Sequence, residues 1–313
     1  MGSIYISVVV PTFNRKEVLK KCIQALFDQD LDKSDYEIIV IDDGSSDGSR
    51  EMLKSIIDKA PCKMAYFCHS RKGPAAARNA GIRHAIGRII LFIDDDIITV
   101  PGLLREHGDW HRRYARDNIA VLGYVTWSPE IKVTPFMRWL EEGTQFDYRQ
   151  FYDKIDIDNP RYFYSANLSL SRKFLLENNV FFSEDFPYAA CEDTELSYRL
   201  KEFGMDLKFN KEAIGYHYNP TSLLTYSKRM SYVGTSIAIL SQKLPEYFSV
   251  NKSDTTPLKR WVKSLYPIIT AAVSFLDYYL GIELKPLYGK IMDYYRDVGI
   301  EKELSKRRLN GVS

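Results

Sequence analysis

Short β-branched runs alternate with helical segments through the first hundred residues, and this alternation constrains the fold of the 313-residue chain more than any other feature. Residues 4–10, closed by Pro11, read as a buried strand, and residues 37–41, 64–68 and 89–93 read as three more. Helices are predicted between them over residues 16–29, with Asn14 as cap, 47–59, and 74–85, with Pro74 in the first turn. Strand and helix alternating at this period imply parallel strands joined by right-handed crossovers. Such sheets bind ligands beyond the carboxyl ends of their strands. The chemistry-bearing residues fall there, after Val10, Ile41 and Ile93.

The first strand leads into Pro11-Thr12-Phe13-Asn14-Arg15, which by itself is a turn and a helix start. The second leads into Asp42-Asp43-Gly44-Ser45-Ser46-Asp47-Gly48, where carboxylates at a strand end can hold ribose or base edges. A calcium loop starting at Asp43 would need Glu at its twelfth position, where Lys54 stands. Gly73-Pro74-Ala75-Ala76-Ala77-Arg78-Asn79-Ala80-Gly81 admits two readings. Its small residues let a phosphate approach a helix N-terminus, with Arg78 as a fixed fork for a diphosphate, or it is a tightly packed helix with a surface Arg.

Phe92-Ile93-Asp94-Asp95-Asp96 is the sharpest signal. Three carboxylates at the end of a buried strand repel one another unless a cation neutralises them, and hard oxygen ligands in that number select Mg²⁺ or Mn²⁺ shared with substrate phosphates. A phosphohydrolase of the D-x-D-x-[TV] type would carry Thr or Val where this chain has Ile98. Further on, residues 193–203 read as a helix with an apolar stripe of Leu196, Leu200 and Phe203, a Glu195–Arg199 pair and Gly204 as stop. The helix dipole is expected to keep Asp193 ionised in the first turn, as suits a general base; a plain acidic first turn is the alternative. A lone histidine such as His217 is more often packed than metal-bound.

A net charge of +2 argues against a nucleic-acid partner. The four cysteines, Cys22, Cys62, Cys68 and Cys191, include no C-x-x-C pair, which argues against zinc and redox motifs and fits a reducing cytoplasm. The first ten residues lack the charged region and cleavage site of a signal peptide. From Leu223 the chain reads as helical, and its apolar run over residues 265–276 holds Pro267 and stops at Asp277, too short to span a bilayer. Arg260 and Lys263 flank that run, and Lys306, Arg307 and Arg308 cluster near the end. They suit either a helix pair covering the catalytic domain or peripheral docking at the inner face of an anionic membrane.

Taken in order, P-T-F-N-R, I-D-D-G-S-S-D-G-S, G-P-A-A-A-R-N-A-G, F-I-D-D-D-x-x-x-x-P ending at Pro101, S-A-N-L-S-L-S-R, C-E-D-T-E-L-S-Y-R-L and the later His217 resemble the inverting family-2 glycosyltransferases with the GT-A fold. The resemblance spans residues 4–220. It implies an α/β fold, the Rossmann-like GT-A arrangement of a mostly parallel sheet with flanking helices, followed by a C-terminal helical region. Residues 1–220 would form the catalytic domain, with 1–100 its nucleotide-binding half and 101–220 its acceptor-binding half, and 221–313 a helical extension. The implied reaction moves a sugar from a nucleoside-diphosphate donor to a hydroxyl of a saccharide or lipid-linked acceptor, in polysaccharide or glycoconjugate synthesis. UDP is the first candidate nucleotide, with GDP and dTDP as alternatives.

The resemblance also implies residue roles. Pro11, Thr12, Asn14, Arg15, Asp42 and Asp43 would line the nucleoside side, Arg78 would face the diphosphate and Asp94 would reach the ribose, with Asp95 beside it. Asp96 and His217 would hold Mn²⁺ or Mg²⁺, Asn167 and Glu192 would lie near the sugars, and Asp193 would be the base. Cys191 stands where the family commonly has Gly. Neither Arg138-Trp139 nor Arg260-Trp261 has Gln three residues before its Arg, so a processive synthase does not fit. No G-x-G-x-x-G follows a strand, which disfavours a dinucleotide oxidoreductase. A metal-dependent phosphohydrolase and a non-catalytic sugar-nucleotide-binding protein remain as other classes.

Overall fold

The computed structural model describes residues 4–143, 145, 147–249 and 264–309; Arg260, Trp261 and Lys263 lie outside them. The chain divides into two compact units: Met1–Ile131 with Phe146–Glu184 and Glu192–Asn219, and Lys132–Gln145 with Asp185–Cys191 and Pro220–Ser313.

The first unit is built on one sheet. Its first four strands are β1 (Ile6–Thr12), β2 (Tyr36–Asp42), β3 (Lys63–Cys68) and β4 (Ile89–Ile93), mutually parallel in the order β3-β2-β1-β4. Between them run α1 (Lys16–Phe27), α2 (Ser49–Ile57) and α3 (Pro74–His84), so the expected alternation is present. β1 and β2 are buried at every residue, which is why they read as continuous apolar runs and not as alternating ones. α3 packs closely on β1: a Cβ at Gly81 would fall 2.2 Å from Val9 Cγ1, so only glycine fits.

Beyond β4 the sheet changes direction. The following elements are β5 (Ile97–Thr99), α4 (Leu103–Tyr114), β6 (Ile119–Trp127), β7 (Asp156–Ile157), β8 (Asn167–Ser171), α6 (Arg172–Glu177), α7 (Glu192–Glu202) and β9 (Asp206–His217), with α5 (Pro135–Glu141) belonging to the second unit. The sheet continues β4-β8-β6-β9-β5, with β8 antiparallel to β4 and β6, β9 parallel to β6, and β5 and β7 antiparallel to β9. Ile93 thereby pairs with Asn167 and Ile97 with His217, which pins both sides of the Asp94-Asp95-Asp96 turn.

Two sequence expectations are corrected here. Asn14 does not cap α1. It adopts φ +52°, a left-handed conformation that asparagine tolerates, and its Oδ1 accepts from the Ser46 amide at 2.8 Å. Asp47 does the capping instead, its Oδ2 accepting from the Lys16 amide at 2.8 Å. In α7, Leu196 and Leu200 are fully buried but Phe203 is 48% exposed, because the helix ends at Glu202 and Gly204 turns the chain with φ +80°. The Glu195–Arg199 pair forms as expected, at 2.8 Å.

The second unit contains α5, α8 (Leu223–Lys243), α9 (Tyr266–Leu280) and α10 (Lys285–Leu309). α8 and α10 meet at two glycines; a Cβ on Gly299 would lie 1.9 Å from the Ser231 carbonyl oxygen. Asp277 is buried in this unit, its Oδ1 accepting from the Phe136 amide and the Tyr288 hydroxyl, both at 2.7 Å. No helix among the described residues is long and apolar enough to cross a membrane.

Candidate active site

The loops that follow β1, β2 and β3 are laced together by short polar side chains. The Asn14 amide donates to Ser45 Oγ at 2.8 Å, returning the Asn14–Ser46 contact. Asp42 Oδ1 accepts from the Ser45 amide at 2.8 Å. Asp43 reaches the start of α3, accepting from the amides of Lys72 at 2.6 Å and Gly73 at 2.9 Å. Pro11 pairs with Ile41 at the end of the β1–β2 ladder, and the Asp43 amide donates to the Thr12 carbonyl at 2.9 Å.

The acidic triplet sits in the turn between β4 and β5. Asp95 and Asp96 are each 5% exposed. Asp95 Oδ2 accepts from the Thr12 hydroxyl at 2.7 Å and its Oδ1 from Arg15 Nη1 at 3.1 Å. Asp96 Oδ2 accepts from Arg15, from His217 Nε2 at 3.2 Å and from Asn219 Nδ2 at 3.1 Å. Burial and the neighbouring Asp96 push Asp95 up to about 7. Burial would raise Asp96 as well, but His217 and Arg15 outweigh it and hold that carboxyl well below the usual range. The turn thus keeps one firm anion at Asp96. The His217 ring stacks on Trp127 at 5.1 Å.

Arg78 joins the triplet to α7. Its Nη2 donates to Asp94 Oδ1 and its Nη1 to Glu192 Oε1, both at 2.8 Å. It is 3% exposed, which removes the surface-arginine reading of α3. Glu192 follows into the interior, where burial and Asp193 push its carboxyl up to about 7, and its Oε2 has no hydrogen-bond partner. Asp193 Oδ1 accepts from the Thr194 amide at 2.8 Å and Oδ2 from the Ser165 amide at 3.4 Å. Burial raises its pKa, against the lowering effect of Arg78 and those amides. The helix dipole is expected to keep Asp193 ionised; burial acts against it and is the largest influence on this carboxyl. A raised carboxylate is the better match to proton transfer near neutral pH.

Asn167 belongs to the scaffold. It is fully buried, its Oδ1 accepts from His107 Nε2 at 2.9 Å, and its Nδ2 donates to the carbonyls of Ala213 at 2.9 Å and Tyr124 at 3.3 Å. With Asn167 accepting, His107 Nδ1 must accept from the Ser169 hydroxyl at 2.8 Å, and Ser169 Oγ accepts from His111 Nε2 at 2.8 Å. Both histidines are buried and neutral. Asn219 is the site residue that sequence reasoning passed over. Its signal is its spacing, two residues past His217 at the end of β9, where alternate residues turn the same way.

A family profile described as Glycosyl transferase family 2 matches residues 7–178, more than half of the chain. The chain belongs to glycosyl transferase family 2. The family 2 match contains the strand-end loops and the acidic triplet; Glu192, Asp193 and His217 lie beyond it. Relatives include chondroitin synthase of Escherichia coli, 25% identical over 288 residues that make up 82% of this chain and 41% of that protein. Validoxylamine A glucosyltransferase of Streptomyces hygroscopicus subsp. limoneus is 26% identical over 230 residues, 67% of this chain and 51% of that one. The chain thus spans about half or less of the length of these relatives. Among solved structures, the mannosyltransferase PcManGT of Pyrobaculum calidifontis, in complex with GDP-Man and Mn²⁺, superposes with a TM-score of 0.65 at 15% identity, over 97% of this chain and 88% of that one. S. aureus TarS 1-349 in complex with UDP gives 0.55 at 18% identity, over 97% and 92%. The family 2 chain has the GT-A fold.

Proposed function

We propose that this chain transfers a sugar from a nucleoside-diphosphate donor to an acceptor hydroxyl, with inversion at the anomeric carbon. The observation that carries the reading is Arg78, which binds Asp94 of the acidic turn and Glu192 beside Asp193 at 2.8 Å each, and so puts a carboxylate for proton transfer next to the anion-rich strand end. UDP is the first candidate nucleotide, with GDP or dTDP as alternatives, and solved neighbours in complex with UDP, UDP-GlcNAc and GDP-Man support a donor of this class. The acceptor is proposed to be a saccharide or a lipid-linked saccharide.

The residues divide the work. Thr12, Asn14, Asp42 and Asp43 form the nucleoside side, and Arg15 and Arg78 contribute positive charge toward a diphosphate. Asp193 Oδ2, which among the described residues accepts only from the Ser165 amide at 3.4 Å, is the oxygen that takes the acceptor's proton as the hydroxyl attacks. One displacement inverts the centre. Asp96 and His217 fit a divalent ion: a firmly ionised carboxylate oxygen and an imidazole nitrogen lie 3.2 Å apart, and the guanidinium of Arg15 beside them supports positive charge at that spot. The nitrogen tilts the pair toward Mn²⁺ over Mg²⁺. Among the described residues no cluster of three or more His, Cys, Asp or Glu surrounds such a position, so further ligands would come from phosphate and water. A bound ion there would supply charge stabilisation for the leaving diphosphate.

A donor screen over UDP-, GDP- and dTDP-sugars with Mn²⁺, with and without EDTA, tests the reading. Donor-dependent release of nucleoside diphosphate that stops in chelator is expected. Phosphate release from simple esters would point to a phosphohydrolase, and donor binding with no turnover to a binding protein.

Peripheral membrane contact is proposed for the second unit. α9 exposes Ile268 at 70%, Phe275 at 55%, Tyr279 at 68% and Leu280 at 60%, and α10 ends in Lys306, Arg307 and Arg308. Co-sedimentation with anionic vesicles at low salt is expected, and its absence would withdraw the proposal.

A further inference from the structure

Asp96 Oδ2 holds three donors, Arg15, His217 Nε2 at 3.2 Å and Asn219 Nδ2 at 3.1 Å, on an oxygen with about two lone-pair directions. It is saturated. Arg15 Nη1 also spans to Asp95 Oδ1 at 3.1 Å, so one guanidinium nitrogen touches both carboxylates. Asp95 and Asp96 are each 5% exposed, and adjacent buried carboxylates need a counter-charge. Arg15 supplies it from the rim, with 39% of its side chain in solvent. Asn14 sets that approach, because its left-handed turn at φ +52° immediately precedes Arg15.

We propose that Arg15 is the resident counter-ion of the Asp95–Asp96 pair, that a divalent cation displaces it to reach Asp96 Oδ2 beside His217 Nε2, and that the donor diphosphate favours the exchange by taking up the released guanidinium. This rests on the glycosyl-transfer reading of the site. Without nucleotide, Arg15 and the cation compete for one oxygen. With nucleotide, the planar fork of Arg15 pairs with phosphate oxygens. Metal and nucleotide then raise each other's affinity by the same factor.

Mn²⁺ binding to the whole chain, followed by the electron paramagnetic resonance signal of free Mn²⁺, tests this with Mn²⁺ alone and with Mn²⁺ plus UDP or GDP. Arg15→Gln is expected to bind Mn²⁺ alone about tenfold more tightly than wild type, and the enhancement by nucleotide to shrink by a similar factor. Arg15→Lys, which keeps a charge but loses the fork, is expected to fall between them. Circular dichroism confirms that each variant is folded. Equal or weaker Mn²⁺ binding by Arg15→Gln overturns the competition, as does Arg15→Lys binding more tightly than Arg15→Gln. Absence of Mn²⁺ binding by every variant and by wild type, even with nucleotide, overturns the metal reading itself and this inference with it.

Discussion

Arg78 Nη1 lies 2.8 Å from Glu192 Oε1, and the two side chains are only 4% and 3% exposed. Removing one partner of a buried ion pair leaves the other without compensation, at a cost of about 3–5 kcal/mol. Arg78→Met is expected to lose stability of that order, since it strands both Glu192 and Asp94. Glu192→Gln should lose less, because Asp94 still holds Arg78. Urea unfolding of both variants measures this, and a loss under about 1 kcal/mol for Arg78→Met would show that the pair adds nothing net.

The transfer rate should depend on the protonation of Asp193. Burial raises its pKa, and a base works only when deprotonated, so activity falls as pH drops through that raised value. The acid limb of kcat/KM is therefore expected above the ordinary aspartate value of about 4. Arg78 lowers Asp193, so an active Arg78→Met protein should show the limb displaced to still higher pH. A limb at or below about pH 4 in wild type would remove Asp193 from the role.

Asp193→Asn keeps the size of the side chain but cannot accept a proton. Transfer should fall about 10²–10⁴-fold with donor affinity nearly unchanged. Asp96→Asn should instead weaken metal-dependent donor binding. Calorimetric donor titration beside a transfer assay separates the two. Normal turnover in Asp193→Asn with loss in Glu192→Gln would move the base by one residue.

Acid stability should report the His107–Ser169–His111 chain. Burial lowers His107 to about 4 and His111 to about 3. An unfolded histidine titrates near 6.5, so below that pH the unfolded chain binds more protons than the folded one. The stabilisation is complete above about pH 6.5 and is lost as pH falls toward the folded values, at about 1.4 kcal/mol per pH unit for each histidine. Denaturant unfolding between pH 7 and pH 4 should show this slope, and His111→Gln should flatten it.

Cys191 holds φ +69°, in the left-handed region that costs a non-glycine residue about 1–2 kcal/mol. This gives a physical reason for the glycine that the family resemblance led us to expect there. Cys191→Gly should relieve that strain and give back part of it through the freer unfolded chain, a net gain of about 0.5–1 kcal/mol. A lower thermal midpoint for the variant would mean that side-chain interactions of Cys191 outweigh the strain.

The first half of the sheet was legible because β1, β2 and β4 are buried on both faces and therefore centre on runs of Ile, Val, Leu and Phe. The later strands were not. β8 reads Asn-Leu-Ser-Leu-Ser, a pattern suited to a half-exposed strand, yet every residue in it is buried. Its polar face is satisfied by His107 and His111, which sit four residues apart on α4 and look in sequence like a solvated stripe. Neither pattern can be interpreted until the other is known to face it. The strand-end carboxylates were visible for the opposite reason: three charges after an apolar strand are anomalous without any partner. Spacing alone hid what they touch, since Arg15, His217 and Asn219 reach Asp96 from 81, 121 and 123 positions away, and only the family resemblance put His217 beside Asp96.

The lacing of the loops after β1, β2 and β3 has an entropic consequence. Asn14, Ser45, Ser46, Asp43 and Asp47 fix one another and the start of α3 through backbone amides, so these loops are already ordered before any nucleotide arrives. Immobilising a free loop and its side chains would consume part of the binding free energy, about 0.5–1.5 kcal/mol for each ordered side chain. A nucleotide bound there, as proposed above, would be spared that loss, and discrimination between bases could then come from shape. The same rigidity would present a base of the wrong outline with a surface that does not mould itself to fit.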